Sequence, residues 1–185
     1  SCSFEQASEW DIQHLVVEAV GLLSDGSNQE SAAILLLSLL SGRSPEQLTS
    51  NNATKLMQEF KQHPCLCLTH SVPASKQSPD CNTLLPSVHE RLISPLPAAL
   101  KGQKITCSSL DTDKLNAIIS GINDRHQTRL TLGRISRFLE HWYLNQGLDR
   151  AEIALIRGEL PKSRPALSYS SLDADLIIEH HRDYI

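Results

Sequence analysis

Aromatic residues are scarce in this chain: Phe, Trp and Tyr together make up 4% of its 185 residues. The core therefore has to be built from Leu, Ile, Val and Ala. A hydrophobic share of 40% suffices for that, and the length suits one domain with a sizeable core. Long apolar runs are also missing. The longest, Ala32 to Leu37, falls far short of the roughly 20 residues that span a bilayer, so no membrane partner is expected. No charged-then-apolar segment opens the chain, so no secretory signal is read and a cytoplasmic location is expected. The five cysteines are odd in number and lack the dense spacing of a secreted scaffold, which points to reduced thiols. Cys65-Leu-Cys67 is not a C-x-x-C pair, and no metal site is expected. The first residue is Ser1 rather than Met, and we expect a fragment that lacks an N-terminal partner domain.

Positive charge is short overall, with a net charge of −4, but it is unevenly spread. Residues 1–63 hold eight acids against three bases, whereas residues 125–164 hold eight bases against four acids. The bases of that second segment include Arg125, Arg129, Arg134, Arg137, Lys162 and Arg164. A local surplus of this kind fits either phosphate binding at one face or a solvated Arg-rich helix surface.

Periodicity predicts a mainly α chain with a small antiparallel β-sheet. Ser8 opens a first helix with Ile12, Leu15, Val16, Ala19 and Leu23 at helical spacing, ended by Asp25-Gly26. Ser27 and Glu30 read as a capping box for a second helix, apolar nearly all round and hence central. Gly42 closes it, and Ser44-Pro45 starts a third helix with Pro in its first turn. Residues 54–61 carry a weak pattern, read as a short helix. Cys65 to His70 reads as a strand, and so do Leu84-Leu85 and His89 to Ile93, around a Pro- and Ser-rich loop at 71–82. Asp111 caps a helix with Leu115, Ile118, Ile119 and Ile122 on one face. Thr131 caps the next, with Ile135, Phe138, Leu139 and Trp142 on one stripe, stopped by Gly147. Asp149 and Glu152 read as a capping box for a short helix ending at Gly158. Ser171 to Asp183 is a last amphipathic helix. No internal repeat is visible, and residues 1–185 read as a single domain.

Three pieces stand in a telling order: Ser41-Gly-Arg43-Ser-Pro-Glu-Gln-Leu48 at a helix-to-helix turn, Thr131-Leu-Gly-Arg134, and Tyr169 after Gly158-Glu159. This resembles the catalytic domain of the tyrosine recombinase (phage integrase) family, whose second Arg box is H-x-x-R. There a G-H or G-W step follows, and about ten residues later the nucleophilic Tyr. The resemblance implies an α+β recombinase-like fold, double-stranded DNA as partner, and self-association on DNA through the segment after the Tyr. It also implies strand cleavage by the Tyr oxygen through a phosphotyrosyl link, without a cofactor. Two guanidinium forks, Arg43 and Arg134, would match the charge on the phosphate in the transition state. By location in the sheet, Lys76 would be the catalytic Lys.

The pattern departs from the family at two places. Thr131 stands where the first His belongs, and Glu159 where the second does; Thr131 caps its helix, and Glu159 repels phosphate. Loss of acid–base help costs about 10²–10⁴-fold, and His70 or His126 would have to approach in space to replace it. A degenerate DNA-binding or assembly module is therefore a second reading, and a helical protein-interaction domain a third. For Arg43, a charge at a core helix end calls for an anionic partner or for the end carbonyls of its own helix. Tyr143 is expected to pack near Trp142, and Tyr184 to fray.

Overall fold

Ala32 to Ser41 is buried without a break, so the helix α2 (Gln29–Ser41) has no solvent face beyond its first turn. A helix apolar all round has to be covered on every side, and the rest of the fold does that. A computed structural model describes residues 6–26, 28–49, 56–60, 63–69, 91–103, 111–157, 179 and 181–184. Within them the chain is mainly helical, with one small antiparallel sheet. Helix α1 (Glu9–Asp25) and helix α5 (Leu132–Asn145) pack on α2, and α4 (Thr112–His126) packs against α1, α2 and α5. The short helices α3 (Pro45–Thr49) and α6 (Arg150–Ile156) lie against α2 and α5 respectively. Each Leu or Ile buried in this core contributes roughly 1.5–3 kcal/mol. The two serines at the end of α2 stay satisfied without water. Ser38 Oγ donates to the carbonyl of Arg43 at 2.6 Å and Ser41 Oγ to that of Leu37 at 2.6 Å.

Helix starts follow capping chemistry. Ser8 and Asp11 form a reciprocal box at α1, Asp111 Oδ1 accepts from the N–H of Lys114 at 3.0 Å, and Thr131 Oγ1 accepts from the N–H of Arg134 at 3.2 Å. The start of α2 differs from expectation. Ser27 lies outside the described residues, and the N-cap is Asn28, left-handed at φ 55° and without a side-chain cap bond. The tight turn from α1 uses left-handed residues at both Gly26 and Asn28, and Asn is the side chain that tolerates that region best. Gln29 Nε2 donates instead to the carbonyl of Leu23 at 3.0 Å, fastening the two helices.

Of residues 54–61, read as a short helix, 56 is helical, 57–60 are strand instead, and 54, 55 and 61 lie outside the described residues. Met57–Phe60 is strand β1, paired antiparallel with β2 (His63–Thr69), which pairs antiparallel with β3 (Arg91–Pro95) in the order β1-β2-β3. The registers are Met57 opposite Leu66 and Leu66 opposite Ser94. A four-residue segment without apolar helical spacing has little to hold it as a helix, whereas β2 supplies partners for its N–H and C=O groups. The loop at 71–82 and Leu84-Leu85 lie outside the described residues. The exit through Ser94-Pro95-Leu96-Pro97 enters a single 3-10 turn, Ala98–Leu100.

Residues 179 and 181–184 are helical, and Tyr184 does not fray. Its hydroxyl donates to the carbonyl of Leu39 at 2.8 Å, and its ring lies 5.2 Å from Trp142 and 5.9 Å from Tyr143. Four of the scarce aromatics, Phe138, Trp142, Tyr143 and Tyr184, are thus gathered where this turn meets α2 and α5. The rest of 171–178 lies outside the described residues.

Candidate functional site

Gly42 and Arg43 follow directly on α2, and their position is forced by the backbone. Gly42 is left-handed, φ 65°, and closes the helix through its N–H to the carbonyl of Ser38 at 3.0 Å. A Cβ there would stand 3.0 Å from Cγ of Arg157 and 3.3 Å from Cδ2 of Leu139. Both the dihedral and the close approach of α5 and Arg157 demand glycine. Ser44 then starts α3: its Oγ accepts from the N–H of Gln47 at 3.4 Å while Gln47 Oε1 accepts from the N–H of Ser44 at 2.8 Å.

Arg43, between these two fixed ends, is half-buried, and burial holds its guanidinium below the ordinary arginine range. Of the two partners expected, an anion or the end carbonyls of its own helix, the described residues supply neither. Arg43 Nε donates instead to the main-chain carbonyl of Arg157, just beyond α6, at 2.9 Å. Its Nη1 and Nη2 have no hydrogen-bond partner among the described residues. Arg157 answers in kind, with Nε donating to the carbonyl of Gly42 at 3.0 Å and Nη1 to Glu140 Oε2 at 2.9 Å. The two carbonyls, of Gly42 and Arg157, lie at helix C-termini, where the macrodipole favours a cation. What this arrangement offers chemically is a guanidinium edge fixed at one nitrogen, its two Nη groups directed at neither backbone nor carboxylate of the described fold. Such an edge matches two oxygens of a phosphate or carboxylate.

The other expected site residues fall out as follows. Arg134 sits in the first turn of α5 and donates Nη1–H to the carbonyl of Arg129. Thr131 uses its hydroxyl as the N-cap acceptor of that helix. Arg137 is exposed and donates Nε–H to the carbonyl of Gly133 at 3.0 Å, and Arg129 is exposed. Arg125 is engaged with Glu18, Nη2 to Oε2 at 2.7 Å. His126 meets the other oxygen of Glu18 at 2.7 Å and stacks on His14 with centroids 4.2 Å apart. The hydrogen bonds from His126 and then Arg125 hold the Glu18 carboxyl below the usual carboxylate range. His126 is thereby committed to tying α4 to α1. Tyr169, Lys76, Glu159, Lys162, Arg164 and His70 lie outside the described residues.

Two features were missed in the sequence. Arg157 counted there only as one base of a surplus, because its partners are a backbone carbonyl and an acid on another helix. His181 is the second: 2% exposed, it bonds Ser94 Oγ through Nδ1 at 2.9 Å and the carbonyl of Leu40 through Nε2 at 3.0 Å. A carbonyl only accepts, so Nε2 carries the proton and Nδ1 accepts from the serine. Burial lowers the His181 pKa to about 4, against the opposing pull of the Leu40 carbonyl. Ser94 and His181 are both 2% exposed, so the pair fastens β3, α2 and the C-terminal turn together.

An apolar cavity of about 150 Å³ lies among α1, α2, α5 and Tyr184, lined by Ile12, Val16, Leu36 and Phe138 among others. Its one hydroxyl, that of Tyr184, is spent on Leu39, so it lacks the convergent polar groups of a catalytic pocket. Among the described residues there is no cluster of His, Cys, Asp or Glu suited to a metal ion. No described helix is long and apolar enough to cross a membrane. No protein-family model matches this chain, and no curated protein or solved structure matches it either.

Proposed function

We propose that this chain is a tyrosine-recombinase-type domain that binds duplex DNA, with Arg43 meeting a backbone phosphate. The observation that carries the reading is the half-buried Arg43, fixed at Nε and with both Nη groups unpartnered among the described residues. A half-buried cation without an anion is partly desolvated with nothing in return, and a phosphate diester supplies the missing charge in the matching bidentate shape. The Arg43 turn, Arg134 in a Thr-capped helix and Tyr169 follow in the family's order. On this reading the oxygen of Tyr169 forms a bond to phosphorus and the ester bond to one deoxyribose breaks. The phenol proton passes to a base and the leaving oxygen takes one up.

The reading is tested in two steps. First, DNA affinity should fall with salt at a log–log slope near −4 to −5 if about four to six phosphates are neutralised. Affinity indifferent to salt refutes it. Second, a suicide duplex nicked near the cleavage site should trap a covalent adduct that maps to Tyr169 and is lost in Tyr169→Phe. Salt-dependent binding without any adduct favours the degenerate module, a reading supported by Thr131, whose hydroxyl is occupied as an N-cap acceptor. The protein-interaction reading is favoured by one different observation, Trp10 and Val17 standing 61% and 70% exposed on α1. Absence of DNA binding with retained binding of a protein partner through that face selects it.

A further inference from the structure

The two arginines that meet at the end of α2 stand 114 residues apart in sequence, and each uses its Nε on the other's stretch of backbone. Two guanidinium groups this close repel unless something compensates. Glu140 does so for one of them, accepting from Arg157 Nη1 at 2.9 Å. The charge of Arg157 is therefore answered within the fold, and that of Arg43 is left for a ligand. Because Arg43 spends Nε on the carbonyl of Arg157, the edge left for a ligand is the Nη1–Nη2 edge. The direction of that edge depends on where the end of α6 is held. Arg157 holds it, through Gly42 on one side and Glu140 of α5 on the other.

We infer that Arg157, set in place by Glu140, is the positioning residue that aims the Arg43 guanidinium at a DNA phosphate, while making no phosphate contact of its own. The inference rests on the reading of Arg43 as a phosphate ligand. It assigns Glu140, an acid in a basic segment, a role opposite to the one its charge suggests. On charge alone Glu140 repels DNA, and its removal should tighten binding. As the anchor of Arg157 it supports binding, and its removal should weaken it.

The test measures affinity of the full chain for a short random-sequence duplex by fluorescence anisotropy across a salt series. Arg43→Ala should weaken binding about tenfold near 0.1 M salt and reduce the salt slope by roughly 0.9, the loss of one phosphate contact. Arg157→Gln should weaken it by a similar factor, yet cost nothing further in the Arg43→Ala background. Glu140→Gln should weaken binding too, by a smaller factor that also vanishes without Arg43. Thermal unfolding without DNA reports whether each variant is folded. Should Arg157→Gln not fold, the Glu140→Gln and Glu140→Gln/Arg43→Ala pair carries the test. A loss for Arg157→Gln that adds to that of Arg43→Ala overturns the inference, and so does tighter binding by Glu140→Gln. A neutral Arg157→Gln beside a weakened Arg43→Ala overturns it while the phosphate reading stands. No effect of Arg43→Ala removes both.

Discussion

Tyr143 should be improved by losing its hydroxyl. Its ring is 0% exposed, edge-on to Trp142 at 5.2 Å, and its hydroxyl is buried without a hydrogen-bond partner among the described residues. Burial pushes its ionisation far above the ordinary phenol range, so it is no candidate nucleophile. A buried polar group left unpaired costs about 1–3 kcal/mol. Tyr143→Phe deletes that one atom and keeps the ring contacts, so the small void it leaves offsets only part of the gain. We expect a net stabilisation of about 1 kcal/mol, or roughly 2–4 °C in Tm for a chain of this size. Tyr143→Ala, which also removes the ring, should cost about 3–5 kcal/mol. The assay is urea unfolding followed by tryptophan fluorescence and far-UV circular dichroism, with unchanged m-values as the sign of a shared unfolded state. A Phe variant less stable than the parent would falsify the account, since it would mean the hydroxyl is bonded in solution.

Acid should weaken the fold through His181. Its folded pKa, lowered to about 4 from an ordinary 6.5, means the unfolded chain takes the proton first. The stability it contributes is full above about pH 6.5 and falls away as pH drops toward 4, by up to about 3 kcal/mol. Melting curves across that window should flatten in His181→Asn, and an equally steep dependence in the variant would remove the assignment. Gly42→Ala strains a left-handed residue and presses on Arg157, so it should cost about 1–3 kcal/mol. The same variant should also weaken DNA binding as Arg43→Ala does; wild-type stability and affinity together refute this. Deletion from Asp173 onward removes His181 and Tyr184 from α2, so we expect a lower Tm whether or not self-association on DNA changes. Far-UV circular dichroism of the intact chain should be dominated by helix.

Helices that announce themselves by local chemistry were legible in the sequence. Ser8, Asp111 and Thr131 each cap within three residues of themselves, and the unbroken apolar run of α2 requires burial in any arrangement. β1 was not legible, because Met57–Phe60 owes its strand form to a neighbour and not to its own four side chains. Ser27 reads as the cap of α2 in place of Asn28 because the turn before that helix is governed by dihedrals that Ser27 and Glu30 do not reveal. Tyr184 was expected to fray because nearness to the end of the chain was all that could be read. Its partners are the Leu39 carbonyl and the rings of Phe138, Trp142, Tyr143 and His181, all but the last far from it in sequence. At the candidate site the turn that carries Arg43 was visible, but its partner was not. The Arg157 carbonyl belongs to a residue type that carries no signal for it, and the Glu140–Arg157 pair joins separate helices.

The fastening of the C-terminal turn also has a kinetic side. His181 and Tyr184 reach α2 across 141 and 145 residues of chain. Closing such a loop costs about 2 kcal/mol more in entropy than closing one of ten residues. These bonds therefore form after the α1–α2 pair, whose own contacts need only a tight turn. Interactions absent from the folding transition state govern how fast the native state opens. Substitutions at His181 or Tyr184 should speed unfolding and leave the refolding rate nearly untouched. Such a result would make this turn the governor of the folded state's lifetime, with α1 and α2 governing how soon that state is reached.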